Sequence, residues 1–193
     1  MADHHGADPA APRHGFQAPS PWVERFAALV PAGGAVLDLA CGAGRHGRLF
    51  ADRGHPVTAV DVDPAAIDAV AADPRIEAIA ADLEAGGWPL GERGFAGIVV
   101  TNYLWRPILP RLAAALDQGG VLIYETFARG NEHYGRPRNP EHLLRPGDLL
   151  QAFEAGLSVV AYEHGIVEHP RPAVVQRIAA VRSDRPVPLP PLP

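Results

Sequence analysis

Two stretches of this sequence decide its fold: Val36-Leu-Asp-Leu-Ala-Cys-Gly-Ala-Gly-Arg-His46 and Val57-Thr-Ala-Val-Asp-Val-Asp63. In each, an apolar run that predicts a strand ends in polar residues, and a helix is expected between the two. Gly42 and Gly44 let backbone N–H groups approach a ligand that a Cβ atom would push away. Asp61 follows the first glycine by about 20 residues, and its carboxylate can accept hydrogen bonds from both hydroxyls of a ribose. The pattern predicts the first βαβ unit of a nucleotide-cofactor site.

The glycine-rich turn is compatible with two classes of cofactor. Gly42-Ala-Gly-Arg-His-Gly47 matches the G-x-G-x-x-G pattern of dinucleotide-binding proteins, which by itself is a weak signal. Asp38 precedes this turn, where a pyrophosphate would approach, and a carboxylate there favours a cationic ligand. Asp82 follows the third predicted strand, where it can accept a hydrogen bond from an adenine amine. Both acids argue against a dinucleotide, and NAD stays open as the alternative cofactor.

The arrangement of acids and glycines resembles that of the class I S-adenosylmethionine-dependent methyltransferases. Its elements are Asp38-x-Ala40-x-Gly42-x-Gly44, an acid after each of the next two strands, and Leu116-Asp-Gln-Gly-Gly-Val-Leu-Ile-Tyr124. The last run predicts the end of a helix, a tight Gly-Gly turn and a strand. The resemblance covers the chain from Trp22 to Val181. It is nearest to the bacterial small-molecule branch that includes tellurite-resistance and ubiquinone-biosynthesis types.

Two positions depart from the family pattern. Ala40 stands where the family has its first glycine, and we expect that this residue only needs to be small. Ala96 stands where the family has an acid early in the fourth strand. Cys41, before the glycine, is common in relatives that act on small molecules, and here it is expected to be a small packing residue. Neither departure removes a residue that the resemblance implies for the cofactor.

The resemblance implies a fold, a cofactor and a set of binding residues. The fold is α/β, a Rossmann-like doubly wound and mostly parallel seven-stranded sheet with an antiparallel C-terminal hairpin. The cofactor is S-adenosyl-L-methionine, and no metal is expected. The implied cofactor-binding residues lie at the ends of the first four strands or in the turns that follow: Asp38, Ala40, Cys41, Gly42, Gly44, Asp61, Val62, Asp82, Leu83 and Asn102.

Local patterns predict where the strands and helices lie. Strands are expected at 35–39, 57–61, 76–80, 97–101, 121–126, 157–163 and 173–181. Helices are expected at 20–30, at 45–53, from Asp63-Pro64 onward, at 107–116 and at 146–155. The connection between the last two strands is too short for a helix, so these strands should form an antiparallel hairpin.

Composition places these elements in one domain with flanking segments. Residues 1–18 are polar and small, with His4, His5 and His14, and predict a disordered leader. Residues 19–183 are the expected methyltransferase domain, and residues 184–193 a proline-rich tail.

Charge and residue usage limit the function classes. The net charge of −5 disfavours a nucleic-acid substrate, and the basic residues are all arginine, which excludes lysine chemistry. A single cysteine, with no apolar run of membrane-spanning length and no apolar signal region, predicts a cytoplasmic protein without a membrane partner. The sequence does not specify an oligomeric state.

Loops after the fourth and fifth strands are expected to hold the methyl acceptor. The segment from Tyr124 to Arg145 has no helical or strand period, and a structureless loop of that length predicts a functional lid. Its basic residues (Arg129, Arg136, Arg138 and Arg145) favour a small polar or anionic acceptor. Glu125, His133 and Tyr134 are candidate bases, and no catalytic residue is assigned. The predicted enzyme is a methyltransferase; a NAD-dependent oxidoreductase or a non-catalytic S-adenosylmethionine-binding protein is the alternative.

Overall fold

A computed structural model describes residues 18–190, and its strands form a single sheet. In chain order the strands are β1 (Val36–Leu39), β2 (Val57–Asp61), β3 (Ile76–Ala80), β4 (Phe95–Thr101), β5 (Leu116–Phe127), β6 (Ser158–Val167) and β7 (Ala173–Val181). Their order across the sheet is β3-β2-β1-β4-β5-β7-β6. The first five run parallel, while β7 pairs antiparallel with both β5 and β6. The predicted parallel sheet with an antiparallel terminal hairpin is confirmed.

Helices cover both faces of this sheet. The α-helices are α1 (Pro21–Phe26), α2 (Arg45–Asp52), α3 (Pro64–Ala71), α4 (Leu109–Ala114) and α5 (Asp148–Phe153). Short 3-10 helices occupy Ala27–Leu29, Arg106–Ile108, Asn131–His133 and Pro140–His142. Ser20 and Asp63 are the N-caps of α1 and α3, since each side chain accepts a hydrogen bond from a backbone N–H in the first turn of its helix. The connection from β3 to β4, residues 81–94, contains no helix.

Two apolar cores result from the alternation of side chains along the buried strands. Val36 faces the core under α1, α2 and α3, whereas Leu37 faces the core under α4 and α5. Val60 and Ala59 divide between the same two cores, as expected for a strand buried on both faces. The sheet is therefore doubly wound. In such a sheet a ligand site is expected at the carboxyl ends of the parallel strands.

The structure corrects the predicted boundary between α4 and β5. Leu116, expected as the last residue of a helix, instead begins β5 and pairs with Phe95. The register then shifts, so that Gly97 pairs with Val121. Gly119, at φ 81°, lies in this irregularity within β5, so the predicted Gly-Gly turn between a helix and a strand is wrong.

The observed ends of other helices and strands differ from the predicted ones by a few residues. The helix expected at 146–155 is shortened to α5, because Gly147 at φ 82° is its N-cap. The strand expected at 157–163 continues to Val167 and pairs there with Ala173. The predicted leader, including His4, His5 and His14, lies outside the described residues except for Ala18, and the tail is described only to Pro190. None of the helices between residues 18 and 190 has the length and apolar content required to span a membrane.

Candidate cofactor site

A crevice of about 560 Å³ lies at the carboxyl ends of β1, β2, β3 and β4. The carboxyl edge of an open α/β sheet is the usual position for a ligand, and the volume is in the range of small-molecule sites. The lining residues come from the turns after these strands: Ala40, Cys41, Gly42, Ala43, Arg45, Arg48, Asp61, Val62, Ala81, Asp82, Leu83, Glu84, Thr101, Asn102 and Tyr103.

The turn after β1 brings backbone close to this crevice. Ala40, Gly42 and Gly44 have φ values of 54°, 51° and 75°, so left-handed residues alternate along the turn. A Cβ atom at Gly42 would meet nothing within 4 Å, whereas one at Gly44 would lie 2.6 Å from Val70 of α3. Gly42 therefore borders open space in the crevice, while Gly44 is required for packing against α3.

Three carboxylates line the crevice after β2 and β3, and two of them, Asp61 and Asp82, are held by backbone hydrogen bonds. Asp61 accepts hydrogen bonds from the Gly42 N–H at 2.8 Å and from the Asp63 N–H at 3.0 Å. Asp82 accepts from the N–H groups of Glu84 at 2.8 Å and Ala85 at 3.0 Å through one oxygen. These bonds hold each carboxylate in a fixed orientation, so both acids are prepared to accept hydrogen bonds from hydroxyl or amine groups of a ligand.

The amino-terminal part of α2 brings positive charge to the crevice. Arg45 and Arg48 line it, and Gly44 at the N-cap position offers no side chain to the first amides of the helix. Helix N-termini carry a partial positive charge that favours anions. Since β1 lies between β2 and β4, this basic part is flanked by the acids on one side and by the end of β4 on the other.

The end of β4 contributes Thr101, Asn102 and Tyr103. Asn102 has φ 55°, a left-handed conformation that asparagine tolerates better than most residues. The Tyr103 hydroxyl is buried and makes no hydrogen bond within the described part of the chain. Its pKa is raised, first by burial and then by the carboxylates of Glu84, Asp82 and Asp61. Tyr103 is therefore a protonated donor facing the acidic part of the crevice.

Asp38 lies behind the crevice lining. Its side chain is 1% exposed, and Oδ2 accepts the Gly47 N–H at 2.7 Å. Burial raises its pKa to about 7, opposed by the Gly47 hydrogen bond and by Arg45. Asp38 thus fixes the first turn of α2 against β1, a contact that the sequence pattern did not reveal.

Eight of the ten predicted cofactor residues line the crevice together, and Asp38 and Gly44 do not. Sequence reasoning missed Arg48, Glu84 and Thr101, which line it as well. Arg48 lies one helical turn after Gly44, so helical spacing was the available signal. Cys41 is buried, and burial raises the pKa of its thiol, which is consistent with the expected packing residue.

The candidate bases are directed elsewhere. Glu125 is 8% exposed, and its carboxylate accepts from Ser20 Oγ at 2.9 Å and pairs with Arg177 Nε at 2.5 Å. The His133 side chain is 79% exposed and lies 3.9 Å from Glu132. Neither residue lines the crevice.

The predicted lid begins after β5, and we call residues 128–145 the arginine-rich segment. Arg106, which follows β4, holds it by donating to the carbonyl oxygens of Glu141 at 2.7 Å and Leu143 at 2.9 Å. The same guanidinium reaches Asp148 Oδ2 at 3.2 Å. The segment is therefore tied to the loop beside the crevice.

Other contacts join the arginine-rich segment to the sheet. Asn131 is 1% exposed, and its Oδ1 accepts the Val174 N–H of β7 at 3.3 Å. Ala128 and Leu144 form an isolated parallel bridge. The arginines of the segment are exposed and absent from the crevice lining: Arg129, Arg136, Arg138 and Arg145.

Comparison with known proteins agrees with this geometry. The family model described as a methyltransferase domain matches residues 36–120, the part that contains β1 to β4 and their turns. No curated protein sequence matches the chain.

Solved structures with the same fold are themselves named as methyltransferases or their relatives. A TehB-like SAM-dependent methyltransferase from Corynebacterium glutamicum is 24% identical, with a TM-score of 0.62 over 83% of this chain and 86% of that one. TehB from Haemophilus influenzae is 17% identical, with a TM-score of 0.69 over 83% of this chain and 61% of that one. A SAM-dependent methyltransferase from Methanosarcina mazei is 16% identical, with a TM-score of 0.66 over 86% and 99% of the two chains.

The fold is that of the class I S-adenosylmethionine-dependent methyltransferases, and residues 36–120 match the methyltransferase domain model. The predicted cofactor, S-adenosylmethionine, is the one that the methyltransferase domain match implies. Gly47 packs α2 against Asp38 of β1, a position that is compatible with either cofactor, so the domain match rather than the glycine pattern favours S-adenosylmethionine over NAD.

Proposed function

We propose that the crevice binds S-adenosylmethionine along the order of the strands. Asp61 accepts hydrogen bonds from the ribose hydroxyls, and Asp82 with the exposed Val62 and with Leu83 borders the adenine. The observation that carries this proposal is one crevice with carboxylates after β2 and β3 and arginines at the start of α2. Such a polarity matches a ligand with a diol at its centre and an amino-acid carboxylate at one end.

The other predicted cofactor residues complete the proposal. Ala40, Cys41 and Gly42 bring backbone to the ligand, and Asn102 lies where the amino-acid end would reach β4. Asp38 and Gly44 act indirectly, by holding the turn and α2 in place. When bound, S-adenosylmethionine supplies an electrophilic methyl group on a sulfonium. The residues of this chain align the methyl donor with the acceptor. Such alignment can lower the activation barrier by about 7–11 kcal/mol in well-oriented reactions.

We propose that the methyl acceptor is a small polar or anionic molecule. The arginine-rich segment carries Arg129, Arg136, Arg138 and Arg145 against Glu132 and Glu141, although the whole chain is acidic. Its anchoring by Arg106 joins it to the loop that ends at the crevice. A cationic surface attracts anions and raises their local concentration.

We assign no general base. Of the candidates from the sequence, Glu125 is engaged by Ser20 and Arg177, and neither Glu125 nor His133 lines the crevice. An acceptor that ionises by itself, such as a thiol, would react without one. We also propose residues 19–183 as the methyltransferase domain and a cytoplasmic location, both on composition.

The first experiment is calorimetric titration with S-adenosylmethionine, S-adenosylhomocysteine and NAD. We expect micromolar binding of the two sulfur compounds and none of NAD. Asp61→Ala should weaken binding at least about tenfold, because a ligand hydroxyl loses its charged acceptor. Asp68→Ala, on the exposed face of α3, is the matched control. Binding of NAD alone would overturn the proposal.

The acceptor is sought by incubating the protein with methyl-labelled S-adenosylmethionine and panels of small thiols, carboxylates and phosphates. For an acceptor so identified, the Arg136→Ala/Arg138→Ala variant should raise KM with little change in kcat. Arg75→Ala, which removes an exposed arginine before β3 at the opposite edge of the sheet, is the control. Equal KM values in all three proteins would contradict the role of the arginine-rich segment.

A further inference from the structure

A buried histidine joins helix α1 to the crevice. His46 is the second residue of α2 and is 1% exposed. Its Nε2 lies 3.1 Å from the backbone nitrogen of Ser20, and its Nδ1 lies 3.4 Å from Oγ1 of Thr101. Thr101 lines the crevice, so the imidazole connects the residue before α1 with the wall of the site.

The partner on one side fixes the tautomer of this ring. A backbone N–H can only donate, so Nε2 must carry the lone pair that accepts from Ser20. Burial, assisted by Arg45, lowers the pKa of His46 to about 3, which leaves the ring neutral at neutral pH. The single ring proton is therefore on Nδ1, which faces the Thr101 hydroxyl.

Ser20 is itself held in place by a second set of contacts. Its hydroxyl donates to Glu125 Oε1 at 2.9 Å and accepts the Trp22 N–H at 3.2 Å. Glu125 pairs in turn with Arg177 of β7. Because Ser20 is fixed by the cap of α1 and by β5, its N–H presents a constant direction to His46.

The Thr101 hydroxyl is polarised by this arrangement. Its oxygen accepts from His46 Nδ1–H, so its own hydrogen is left to donate elsewhere. Thr101 and Arg45 line the same crevice, and Arg45 precedes His46 at the amino end of α2. A donor beside a guanidinium and a helix N-terminus suits a negatively charged oxygen.

We propose that His46 is a positioning residue that keeps the Thr101 hydroxyl as a hydrogen-bond donor to the amino-acid carboxylate of the cofactor. The inference rests on the proposed binding of S-adenosylmethionine and names one specific contact within it. It assigns functions to His46, which occupies a variable position of the glycine pattern, and to Thr101, which lies outside that pattern.

Paired ligands with and without the amino-acid moiety test the Thr101 contact. Thr101→Val should raise the Kd of S-adenosylhomocysteine about tenfold, as expected for a lost hydrogen bond to a charged group, and change that of 5′-methylthioadenosine less than twofold. Thr101→Ser, which keeps the hydroxyl, should restore the wild-type value. Thr126→Val, at a buried threonine of β5 outside the crevice, is the control. An unchanged Kd for S-adenosylhomocysteine, or equal weakening of both ligands, would overturn the inference.

Nitrogen NMR of the imidazole tests the positioning role without any ligand. The His46 signals, identified by their loss in His46→Gln, should show a neutral Nδ1–H ring from pH 5 to 8. A protonated ring or the Nε2–H tautomer would overturn the inference. If the wild-type protein binds neither S-adenosylhomocysteine nor 5′-methylthioadenosine, the proposed function fails. The NMR measurement still shows which nitrogen of His46 carries the proton, because it uses no ligand.

Coupling between the two residues is measured by a double-mutant cycle. His46→Phe should raise the Kd of S-adenosylhomocysteine by a factor similar to that of Thr101→Val. The Kd of the double variant should be no higher than that of either single variant. Independent, multiplying losses would show that His46 does not act through Thr101.

Discussion

Ala40 shows how a single residue can satisfy a pattern and still carry strain. The sequence suggested only that a small side chain was needed in place of the family's glycine. In the structure Ala40 has φ 54°, a left-handed conformation that costs an L-residue about 1–2 kcal/mol. The requirement at this position is therefore conformational.

Ala40→Gly should stabilise the fold. Relief of the left-handed strain exceeds the about 0.4–1 kcal/mol that glycine adds to the entropy of the unfolded chain, leaving a net gain of about 0.5–1 kcal/mol. Urea denaturation measures the free energy of unfolding. Ala69→Gly, on the exposed face of α3, is the control, and its free energy of unfolding should be lower than that of the wild type by about 1 kcal/mol. A loss at both positions would contradict strain at Ala40.

Asp38 predicts a pH dependence of stability. Its pKa is raised from 3.8 to about 7 by burial, so the folded state binds the proton more tightly than the unfolded state. The stabilising effect of that proton is complete below pH 3.8 and is lost as the pH rises through 7. Asp38→Asn keeps an acceptor for the Gly47 N–H and cannot ionise.

We therefore expect Asp38→Asn to be more stable than the wild type at pH 8, by on the order of 2–4 kcal/mol, and to lose this advantage towards pH 4. Thermal unfolding across this pH range measures the difference. The solvent-exposed Asp68→Asn should show no such trend. A constant difference between wild type and Asp38→Asn at all pH values would refute the assignment.

At the scale of elements, one arginine organises the connection after β5. The arginine-rich segment has only two short 3-10 helices, and Arg106 binds two of its backbone carbonyls while also reaching the carboxylate of Asp148 in α5. The fork of a guanidinium can reach these three acceptors together, whereas an ammonium cannot. The position of the segment thus depends on a side chain from another loop.

Arg106→Lys should loosen the arginine-rich segment without unfolding the sheet. Hydrogen exchange at residues 135–145 should accelerate at least about tenfold, as expected when local contacts are lost, while β4 and β5 stay protected. Arg111→Lys, on an exposed position of α4, serves as the control. Unchanged exchange at 135–145 in Arg106→Lys would show that other contacts hold the segment.

At the scale of the whole molecule, the site belongs to no single element. The crevice is assembled from the turns after four parallel strands, β1 to β4, which are separate in the chain. A ligand that contacts all four turns is expected to stabilise the fold as one unit. This links occupancy of the crevice to global stability.

S-adenosylhomocysteine at 100 times its Kd should therefore stabilise the protein by about 2.7 kcal/mol. For a chain of this length that corresponds to a rise in Tm of about 5–10 °C. Differential scanning fluorimetry measures the shift, with NAD as the matched non-binding ligand. A shift of the same size in Asp61→Ala at the same concentration would argue against binding in the crevice.

The sequence by itself determined the βαβ unit, the parallel sheet with its terminal hairpin and most of the crevice lining. The strands and the hairpin follow from local patterns of apolar runs and short connections, whereas most of the crevice residues were implied by the family resemblance that the glycines at alternate positions and acids such as Asp61 carry. Only the tertiary structure decided that Asp38 lies behind the crevice, that Leu116 begins β5 and that Glu125 pairs with Arg177. Such contacts join residues far apart in the chain, and burial and pairing partners depend on the packing of several elements, which a local pattern does not contain.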